Sequence, residues 1–495
     1  MTNETGVLEW HARAKALRYA TGHFIDGEHV EALAGGRFTV VNPATLEPLC
    51  EVAAGTSADV DRAVASARRT FASGIWRRMA PRERLAILSR YGQLIQSRAE
   101  RFALLDTLCM GKPIRDMLSI DVPQAAQTFT YFAELCDKVD GAVTATSPEA
   151  FHYILREPLG VVGCIVPWNY PLLIAAWKVA PALAAGNSVI LKPAEQAPLS
   201  ALALAELFIE AGGPPGVFNV VNGLGETAGA SLALHADVNK IAFTGSTEIG
   251  KLMLSYAGQS NMKRVSLECG GKSPQIFLAD LEDLDRAVTY AINGIFANMG
   301  EVCNAGSRLL IDKPIAAAFV ARFVELGRDA YRPGDPLDPR TNLGPLVTAA
   351  HRARVVSYIE RGRQEGARVE FGADVPALPG SYVNPTLFSK VSNQMTIARE
   401  EIFGPVLCLI PYDTKEEAIA IANDSSYGLA GGVWAATDEE ALEVARQLRT
   451  GQVEINGGAF NVVAPFGGYK QSGIGRELGQ YGFEEFLEVK AIQRP

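Results

Sequence analysis

Cys303 is the residue of this chain whose neighbours best suit it to attack a bound molecule. It lies in the segment GEVCNAGSR (residues 300–308), where small residues on either side can leave its sulfur accessible. Upstream, the segment LECGGKSP (residues 267–274) carries Glu268 and then two glycines. A thiol nucleophile works with a base, and a carboxylate near glycines can move toward its substrate. The alternatives are that the cysteine is inert packing and that the glycines only make a tight turn.

The composition is that of a large globular protein. Its 495 residues suggest about three domains, and 48% hydrophobic with 20% charged residues is an ordinary balance. A net charge of -9 without a long Lys/Arg run argues against a nucleic-acid partner. The longest apolar region, residues 171–190, contains Lys178, Pro181 and Asn187. That region predicts a buried helix followed by a strand, so no membrane association is expected.

The cysteines and histidines indicate a compartment and argue against a metal site. Seven cysteines at scattered spacings form no C-x-x-C, and residues 1–20 contain no signal-peptide core. We therefore expect free thiols in a reducing, cytoplasmic environment. Six histidines form no H-E-x-x-H and do not cluster with cysteine, so no metal is expected.

From residue 159 onward, short apolar runs alternate with helical stretches, which predicts βαβ units and a parallel sheet covered by helices. Strands are predicted at 161–166, 188–191, 217–221 and 240–243, and helices at 172–185, 199–211, 227–235 and 248–257. Ligands of such sheets bind beyond the carboxyl ends of the strands, where Lys192, Asn222 and Thr244 lie. A second α/β region is predicted at about 266–468, beginning with the Glu268 strand. An earlier amphipathic helix at 81–105 predicts core packing only.

The segment GSTEIGK (residues 245–251) resembles a phosphate-binding loop without completing one. It lacks the final hydroxyl, because Leu252 stands where the magnesium ligand would be. A dinucleotide pyrophosphate is the better ligand, since Gly245 lets the backbone approach and Ser246 precedes the unpaired amides of a helix. The alternative is that Ser246 only caps that helix.

Four further motifs accompany the thiol and carboxylate segments: PWN (167–169), FTGS (243–246), EIFGP (401–405) and PFGGYK (465–470). Their order and spacing resemble those of the NAD(P)-dependent aldehyde dehydrogenase superfamily over residues 24–490. Segments 106–115 and 260–271 look most similar to the bacterial aminoaldehyde branch, which includes gamma-glutamyl-gamma-aminobutyraldehyde dehydrogenases.

The resemblance implies an α/β fold with two parallel-sheet domains and a small β oligomerisation element. A variant Rossmann domain for NAD would comprise residues 1–139 and 158–265, and the catalytic domain residues 266–470. Residues 140–157 and 471–495 would form the oligomerisation element. That element implies a homodimer or homotetramer built by exchange of an edge strand.

The resemblance also implies a reaction, in which a small-molecule aldehyde is oxidised to the carboxylic acid with NAD. Cys303 would form a thiohemiacetal and then a thioester, which water hydrolyses with Glu268 as base. Asn169 would stabilise the oxyanion, and Glu195 would favour NAD over NADP, which remains a less preferred cofactor. The implied cofactor residues are Ile165, Pro167, Trp168, Lys192, Glu195, Gly225, Gly229, Thr244, Gly245, Ser246, Ile249, Glu401 and Phe403. The implied substrate pocket consists of Tyr170, Trp177, Phe296, Asn304 and Phe460.

Alternatives concern the substrate and the activity. The aminoaldehyde branch has an acidic residue where this chain has Cys109, although Asp106 and Asp121 remain nearby. An aminoaldehyde is therefore one substrate class, and aromatic or aliphatic aldehydes are the other. Acyl transfer to coenzyme A and a non-catalytic NAD-binding structural role are disfavoured, because Glu268 and the other catalytic motifs are present. Glu301 is assigned a structural or modulatory role.

Overall fold

The computed structural model describes residues 3–495, with side chains from residue 6 onward. Through residue 268 the strands are β1 His23–Ile25, β2 Glu28–Val30, β3 Arg37–Val41, β4 Pro48–Ala53, β5 Ala142–Val143, β6 Phe151–Pro158, β7 Val161–Ile165, β8 Ser188–Lys192, β9 Phe218–Val220, β10 Lys240–Thr244 and β11 Arg264–Glu268. The helices of this part are α1 Asn3–Ala16, α2 Ser57–Ser73, α3 Pro81–Ser97, α4 Ala99–Met110, α5 Ile114–Asp116, α6 Val122–Glu134, α7 Pro171–Ala184, α8 Leu199–Glu210, α9 Ala230–Leu234 and α10 Thr247–Gln259, with π-helical turns at Met117–Asp121 and Gly225–Gly229.

The remaining residues continue the alternation of strands and helices. The strands are β12 Pro274–Phe277, β13 Arg308–Asp312, β14 Arg368–Phe371, β15 Thr386–Ser389, β16 Val406–Tyr412, β17 Gly432–Trp434, β18 Glu454–Ile455, β19 Gly473–Ile474 and β20 Leu487–Arg494. The helices are α11 Leu284–Phe296, α12 Lys313–Ala330, α13 Ala349–Gln364, α14 Thr396–Arg399, α15 Lys415–Asn423, α16 Asp438–Ala445 and α17 Gly479–Glu484, with 3-10 turns at Ala297–Gly300 and Lys470–Ser472.

The first sheet has eight strands in the order β19-β11-β10-β7-β8-β9-β1-β2. Strands β11, β10, β7, β8 and β9 run parallel, whereas β19 and β1 pair antiparallel at either side. Every residue of β7, β8 and β10 is buried, as expected of a parallel sheet covered by helices. The predicted βαβ region is confirmed.

The second sheet has seven strands in the order β14-β15-β16-β13-β12-β17-β18, and only β14 pairs antiparallel. A third sheet, β20-β6-β5, is small and antiparallel, and β3 pairs with β4 in a separate ribbon. The predicted fold class, two parallel-sheet α/β domains with a small β element, is confirmed. The residue numbers that divide these domains stay a prediction.

Two elements differ from the expectation. The Glu268 strand was expected to open the second region, but β11 pairs with β10 over all five residues and therefore belongs to the first sheet. Strand β19 joins the same sheet next to β11, although it lies in the segment expected to serve oligomerisation. The helix predicted at 81–105 is two helices, which meet at Arg98, where φ is -108° and ψ is 24°.

Helix α7 is the central support of the site. All of its residues are buried, because it packs between the first sheet and α6. It begins with Pro171, a residue whose fixed φ suits the first helical position. Asn169 and Trp168 precede it directly, so the burial of the helix fixes the loop that carries them.

Within residues 3–495, no helix is long and apolar enough to cross a membrane. The same residues contain no group of three or more His, Cys, Asp and Glu side chains that could hold a metal ion.

The buried pair Lys112–Asp121 is expected to carry part of the stability of this region. Asp121 is 0% and Lys112 2% exposed, and Lys112 donates to the Asp121 carboxylate. Asp121→Asn leaves a buried ammonium without its counter-charge, which costs about 3–5 kcal/mol. We expect a clearly lower midpoint of urea unfolding. Glu100→Gln, which removes the partner of Arg13 in an exposed pair, is the control and should leave the midpoint nearly unchanged.

Candidate active site

A cavity of about 270 Å³ lies at the carboxyl ends of strands in the first sheet. Its walls come from the loops after β7 and β10, the end of β11, the loop before β13, helix α13 and the loop after α14. The cavity joins loops of both α/β sheets. Of the residues singled out in the sequence, it brings together Cys303, Glu268, Asn169, Pro167, Trp168, Thr244, Gly245, Ser246, Glu401, Phe403 and Trp177.

The loop that carries Cys303 has an unusual backbone. Asn298, Met299 and Gly300 have φ values of 48°, 57° and 73°, so three consecutive residues adopt the left-handed conformation. Such residues persist only where the surroundings hold them. Here the Asn298 amide donates to the carbonyls of Asn169 (3.1 Å) and Glu301 (3.1 Å). This turn brings the thiol of Cys303 to the cavity wall directly after helix α11 ends.

The thiol of Cys303 lies in an environment that opposes its ionisation. Burial raises the pKa of the thiol, and the carboxylates of Glu268 and Glu401 raise it further. The sulfur is therefore protonated at neutral pH. A base has to accept this proton when the sulfur attacks.

Glu268 lies at the end of β11 and is 4% exposed. Burial raises its pKa well above the usual range, and the neighbouring Glu477 raises it further, whereas Lys178 lowers it. Its Oε2 is buried and has no hydrogen-bond partner among the described residues. Such burial favours the neutral form of the carboxyl group, and a raised pKa makes the ionised form a stronger base.

A buried ion pair connects Glu268 with the interior. Lys178 on α7 donates to Glu477, and both are buried, at 1% and 8% exposure. Glu477 also lines the cavity. In the sequence, Lys178 interrupts an otherwise apolar helix. A buried lysine in such a helix indicates an acidic partner, because a buried charge is rarely found unpaired.

Asn169 is positioned by the backbone of the Cys303 loop. Its Nδ2 donates to the Glu301 carbonyl at 2.9 Å, and the residue is 2% exposed. A side-chain amide has two hydrogens, so a second donor remains for a ligand in the cavity. Together with the N–H of Cys303, it can serve an oxyanion formed next to the sulfur.

The glycines after Glu268 serve close approach. A Cβ at Gly270 would lie 2.0 Å from Oε2 of Glu401, and one at Gly271 would lie 2.8 Å from the Cys303 carbonyl oxygen. The N–H of Gly271 donates to Oε1 of Glu401 at 3.1 Å. We had interpreted these glycines as giving the Glu268 backbone freedom to adapt. The structure gives them a steric role, because the Glu401 and Cys303 loops occupy the space of their side chains.

Glu401 and Phe403 form the opposite wall. Burial raises the pKa of Glu401 to about 7. Phe403 has a φ of 60°, a conformation that favours glycine, and its ring lies 5.4 Å from the ring of Trp168 at 84°.

The start of α10 lies at the edge of the cavity. Ser246 caps the helix, since its Oγ accepts from the N–H of Ile249 at 3.3 Å. The cap interpretation therefore holds, but the hydroxyl hydrogen and the other first-turn amides remain free for a phosphate. Thr244 and Gly245 line the cavity beside it, and the Thr244 hydroxyl is buried without a partner among the described residues.

The other predicted cofactor residues lie outside the cavity lining. Lys192 ends β8 and lies 3.4 Å from Glu195, so the two form one polar group at the carboxyl edge of the first sheet. Gly225 and Gly229 lie on a π-helical turn, where a Cβ would meet no atom within 4 Å. Ile165 ends β7 and is 8% exposed.

Aromatic rings cluster at one side of the cavity, where Trp177 and Phe466 belong to the lining and Phe460 lies outside it. Trp177 and Phe460 stack with ring centres 5.8 Å apart and planes at 8°, and Phe466 lies 5.0 Å from Trp177. Tyr170 lies outside the lining, with the Lys112 ammonium 4.0 Å from its ring centre. Asn304 is half-buried and also lies outside the lining.

Phe296 does not belong to this wall. It is 0% exposed and packs against Phe323, Tyr331 and Phe371 in the core of the second sheet. It was expected in the substrate pocket, and the helical spacing explains the difference. Phe296 shares the buried face of α11 with Ile292, four residues earlier.

Asp106 and Asp121, the two acidic residues considered for a cationic substrate tail, do not reach the cavity lining. Asp121 binds Lys112, and Asp106 accepts from the N–H of Leu172 at 3.1 Å. Both are at most 1% exposed. Their carboxylates are therefore used inside the protein.

Six lining residues were not anticipated: Cys269, Ile174, His351, Arg354, Phe466 and Glu477. His351 and Arg354 lie on α13, whose sequence carries no motif, so only the fold could show that this helix reaches the site.

The cavity brings together a thiol, a buried carboxyl group and the start of a helix, and comparison with known proteins shows the family to which the chain belongs. The aldehyde dehydrogenase family model matches residues 29–492. The NADP/NAD-dependent aldehyde dehydrogenase PuuC of Escherichia coli K12 is 45% identical over 484 residues, which cover 98% of this chain and 97% of PuuC. The chain therefore belongs to the aldehyde dehydrogenase family and is an oxidoreductase that acts on aldehydes.

Solved structures give the same result. A P. syringae AldA indole-3-acetaldehyde dehydrogenase variant with NAD+ is 47% identical and has a TM-score of 0.97, covering 99% of both chains. The gamma-glutamyl-gamma-aminobutyraldehyde dehydrogenase of Burkholderia cenocepacia J2315 is 48% identical with a TM-score of 0.96, again over 99% of both chains. The resemblance to the family and to its aminoaldehyde members is confirmed.

Gly270→Ala tests the close approach of Glu401. The new methyl group must displace the Glu401 carboxylate from the Gly271 amide, and loss of this hydrogen bond should lower kcat/KM for the cofactor roughly tenfold. Gly294→Ala is the matched control, because a Cβ there meets no atom within 4 Å. Equal kcat/KM values for the two variants would contradict a role for this contact.

Proposed function

We propose that this enzyme oxidises an aldehyde to its carboxylic acid with NAD, using Cys303 as nucleophile, Glu268 as base and Asn169 as oxyanion donor. The observation that carries the proposal is that these three side chains line one cavity with the start of α10 at its edge. No residue assignment from the relatives is needed for this geometry.

The first step is attack of the Cys303 sulfur on the aldehyde carbon. The thiol proton leaves to a base, the S–C bond forms, and the carbonyl oxygen becomes an oxyanion. The Asn169 amide and the Cys303 N–H donate to this oxygen. Because both donors are already positioned by the loop, their alignment costs little when charge develops.

The second step converts the thiohemiacetal to a thioester on Cys303. NAD, when bound, supplies the acceptor for the hydride. Glu268 then takes a proton from water, and the hydroxide attacks the thioester carbon and releases the acid and the thiol. The Lys178–Glu477 pair behind Glu268 provides a polar path by which the proton can leave the buried carboxyl.

Glu268→Gln tests the base. Acylation can proceed, so we expect a burst of about one NADH per active site followed by slow turnover. In the wild type the raised pKa means that Glu268 gains its basic form only as pH rises above the usual carboxylate range, so deacylation should accelerate with pH.

The variant should lose this pH dependence, while Cys303→Ala should show no burst and still bind NAD. Steady-state rates of Glu268→Gln equal to those of the wild type would show that another group activates water.

The residues present fit a dinucleotide. The unpartnered Thr244 hydroxyl lies in the cavity, and the spaces beside Gly225 and Gly229 are open. The carboxylate of Glu195, held beside Lys192, suits ribose hydroxyls and repels a 2′-phosphate. We therefore propose NAD as the preferred cofactor and NADP as a weaker one, in keeping with the NADP/NAD-dependent name of PuuC.

For the substrate, we propose an aldehyde with an uncharged, aromatic or apolar group next to the carbonyl. Trp177 and Phe466 line the cavity, and Phe460 stacks on Trp177, so the three rings form an aromatic cluster on one side of the cavity. Asp106 and Asp121 are unavailable to a cationic tail because they are buried and bonded elsewhere. An aminoaldehyde is the second candidate, which the names of the relatives support.

Three aldehydes separate these substrates: phenylacetaldehyde, butanal and 3-aminopropanal, the last two being similar in size. We expect kcat/KM to fall in that order, with roughly tenfold or more between phenylacetaldehyde and the aminoaldehyde. Trp177→Leu should reduce the preference for the aromatic substrate. Preference for 3-aminopropanal over butanal would establish the aminoaldehyde alternative instead. The same assays with NADP measure the cofactor preference.

We propose self-association through the third sheet. Its edge strand β20 spans eight residues, and Val143, Phe151 and Val489 on this sheet are 68%, 46% and 62% exposed. An unpaired strand edge beside exposed apolar residues favours pairing with a second copy.

Because the cysteines are all free, we also propose the reducing cytoplasm as the location.

Light scattering tests self-association against the monomer mass of 53.0 kDa. We expect twice or four times this mass, and a shift toward the monomer for Val489→Asp, which places a charge on the exposed edge strand. A wild-type mass near the monomer value would refute the proposal.

A further inference from the structure

Glu301 connects the nucleophile loop with two other parts of the site. Its carbonyl accepts from the side-chain amides of Asn169 (2.9 Å) and Asn298 (3.1 Å). Its own side chain is 0% exposed and points away from the cavity, where Oε1 accepts from the N–H of Val347 at 3.0 Å. The position of this residue therefore sets the position of the oxyanion donor Asn169.

His351 lies between Glu301 and Phe403. Its Nε2 is 2.7 Å from the carbonyl oxygen of Phe403 and 3.7 Å from Oε1 of Glu301. Since a carbonyl can only accept, Nε2 carries a hydrogen and donates to Phe403. The His351 ring also lies edge-on to the ring of Trp168, at 5.4 Å, and it lines the cavity.

Burial disfavours the charged form of both side chains: it raises the pKa of Glu301 well above its usual range and lowers the pKa of His351. The two groups pack together at a separation of 3.7 Å.

We infer that Glu301 and His351 are positioning residues, which hold the Cys303–Asn169 loop at a fixed distance from the cofactor loop that carries Glu401 and Phe403. The Phe403 backbone needs such support, because its φ of 60° is unfavourable for a residue with a side chain. His351 supplies this support by donating a hydrogen bond to the Phe403 carbonyl. The inference rests on the proposed assignment of Glu401 and Phe403 to the cofactor.

The experiment compares two replacements at each position. His351→Leu keeps much of the bulk and removes the donor, whereas His351→Gln restores an N–H that can reach Phe403. We expect the Kd for NAD, measured by quenching of tryptophan fluorescence, to rise roughly tenfold in His351→Leu and to be largely restored in His351→Gln. His29→Leu, at an exposed histidine paired with Glu206, is the control for removing a histidine.

Glu301→Leu removes the side-chain acceptor of the Val347 N–H. Without this anchor the backbone carbonyl that holds Asn169 can shift, so we expect a lower kcat and weaker NAD binding. Glu301→Gln keeps an acceptor for Val347 and should lose less. If the two residues act as one unit, the double variant His351→Leu/Glu301→Leu loses less than the product of the single effects. Thermal midpoints of all variants show whether a general loss of folding contributes.

Three results would overturn the inference: normal NAD binding in His351→Leu, equal defects in His351→Gln and His351→Leu, or independent effects in the double variant. The variant Glu401→Ala shows whether a negative result refutes the positioning roles of His351 and Glu301 or the proposed cofactor site itself. Weakened NAD binding there with normal binding in His351→Leu refutes only the positioning pair. Normal NAD binding in Glu401→Ala refutes the assignment of the cofactor loop, and the inference with it.

Discussion

The active site depends on the close packing of three backbone segments around Cys303. The Gly270–Gly271 turn, the loop of residues 298–303 and the loop of residues 401–404 approach so closely that a single Cβ would overlap its neighbours. At Gly300, for example, a Cβ would lie 2.3 Å from the carbonyl carbon of Gly404. This packing holds Cys303, Glu268 and Glu401 at fixed distances around one cavity. It also accounts for the left-handed residues, which the packing holds in place.

The same packing buries the ionisable groups of the site away from water, and this burial changes their pKa values. Cys303, Glu268 and Glu401 all have raised pKa values for which burial is the largest cause. The raised values reflect the cost of placing several negative charges in one buried cavity. A charge formed during the reaction is then stabilised by fixed donors such as Asn169, whose effect is larger where water is excluded. Lys178 compensates part of the negative charge at the inner end of the site.

The sequence predicted what depends on local patterns. Two features could be predicted because local propensity and burial agree there: the alternation of strands and helices from residue 159 onward and the capping role of Ser246. What depends on long-range contact was missed. Glu268 was assigned to the wrong sheet because strand pairing leaves no local signal, and Phe296 was placed in the pocket although its neighbour Ile292 marks a buried face. His351 has no motif at all, and only the approach of α13 to Phe403 reveals it.

The two sheets therefore contribute different halves of one site. The first sheet supplies Glu268 at the end of β11, and the loop that supplies Cys303 leads into β13 of the second. Neither half has a complete set of reacting groups, so activity requires the two domains to pack in register. Strand β19 follows the second sheet in the chain but pairs with β11 of the first sheet, with Gly473 opposite Glu268. The N–H of Cys269 donates to the carbonyl of Ser472, immediately before β19. The chain therefore returns to the first sheet next to Glu268 and supports the backbone that carries this residue.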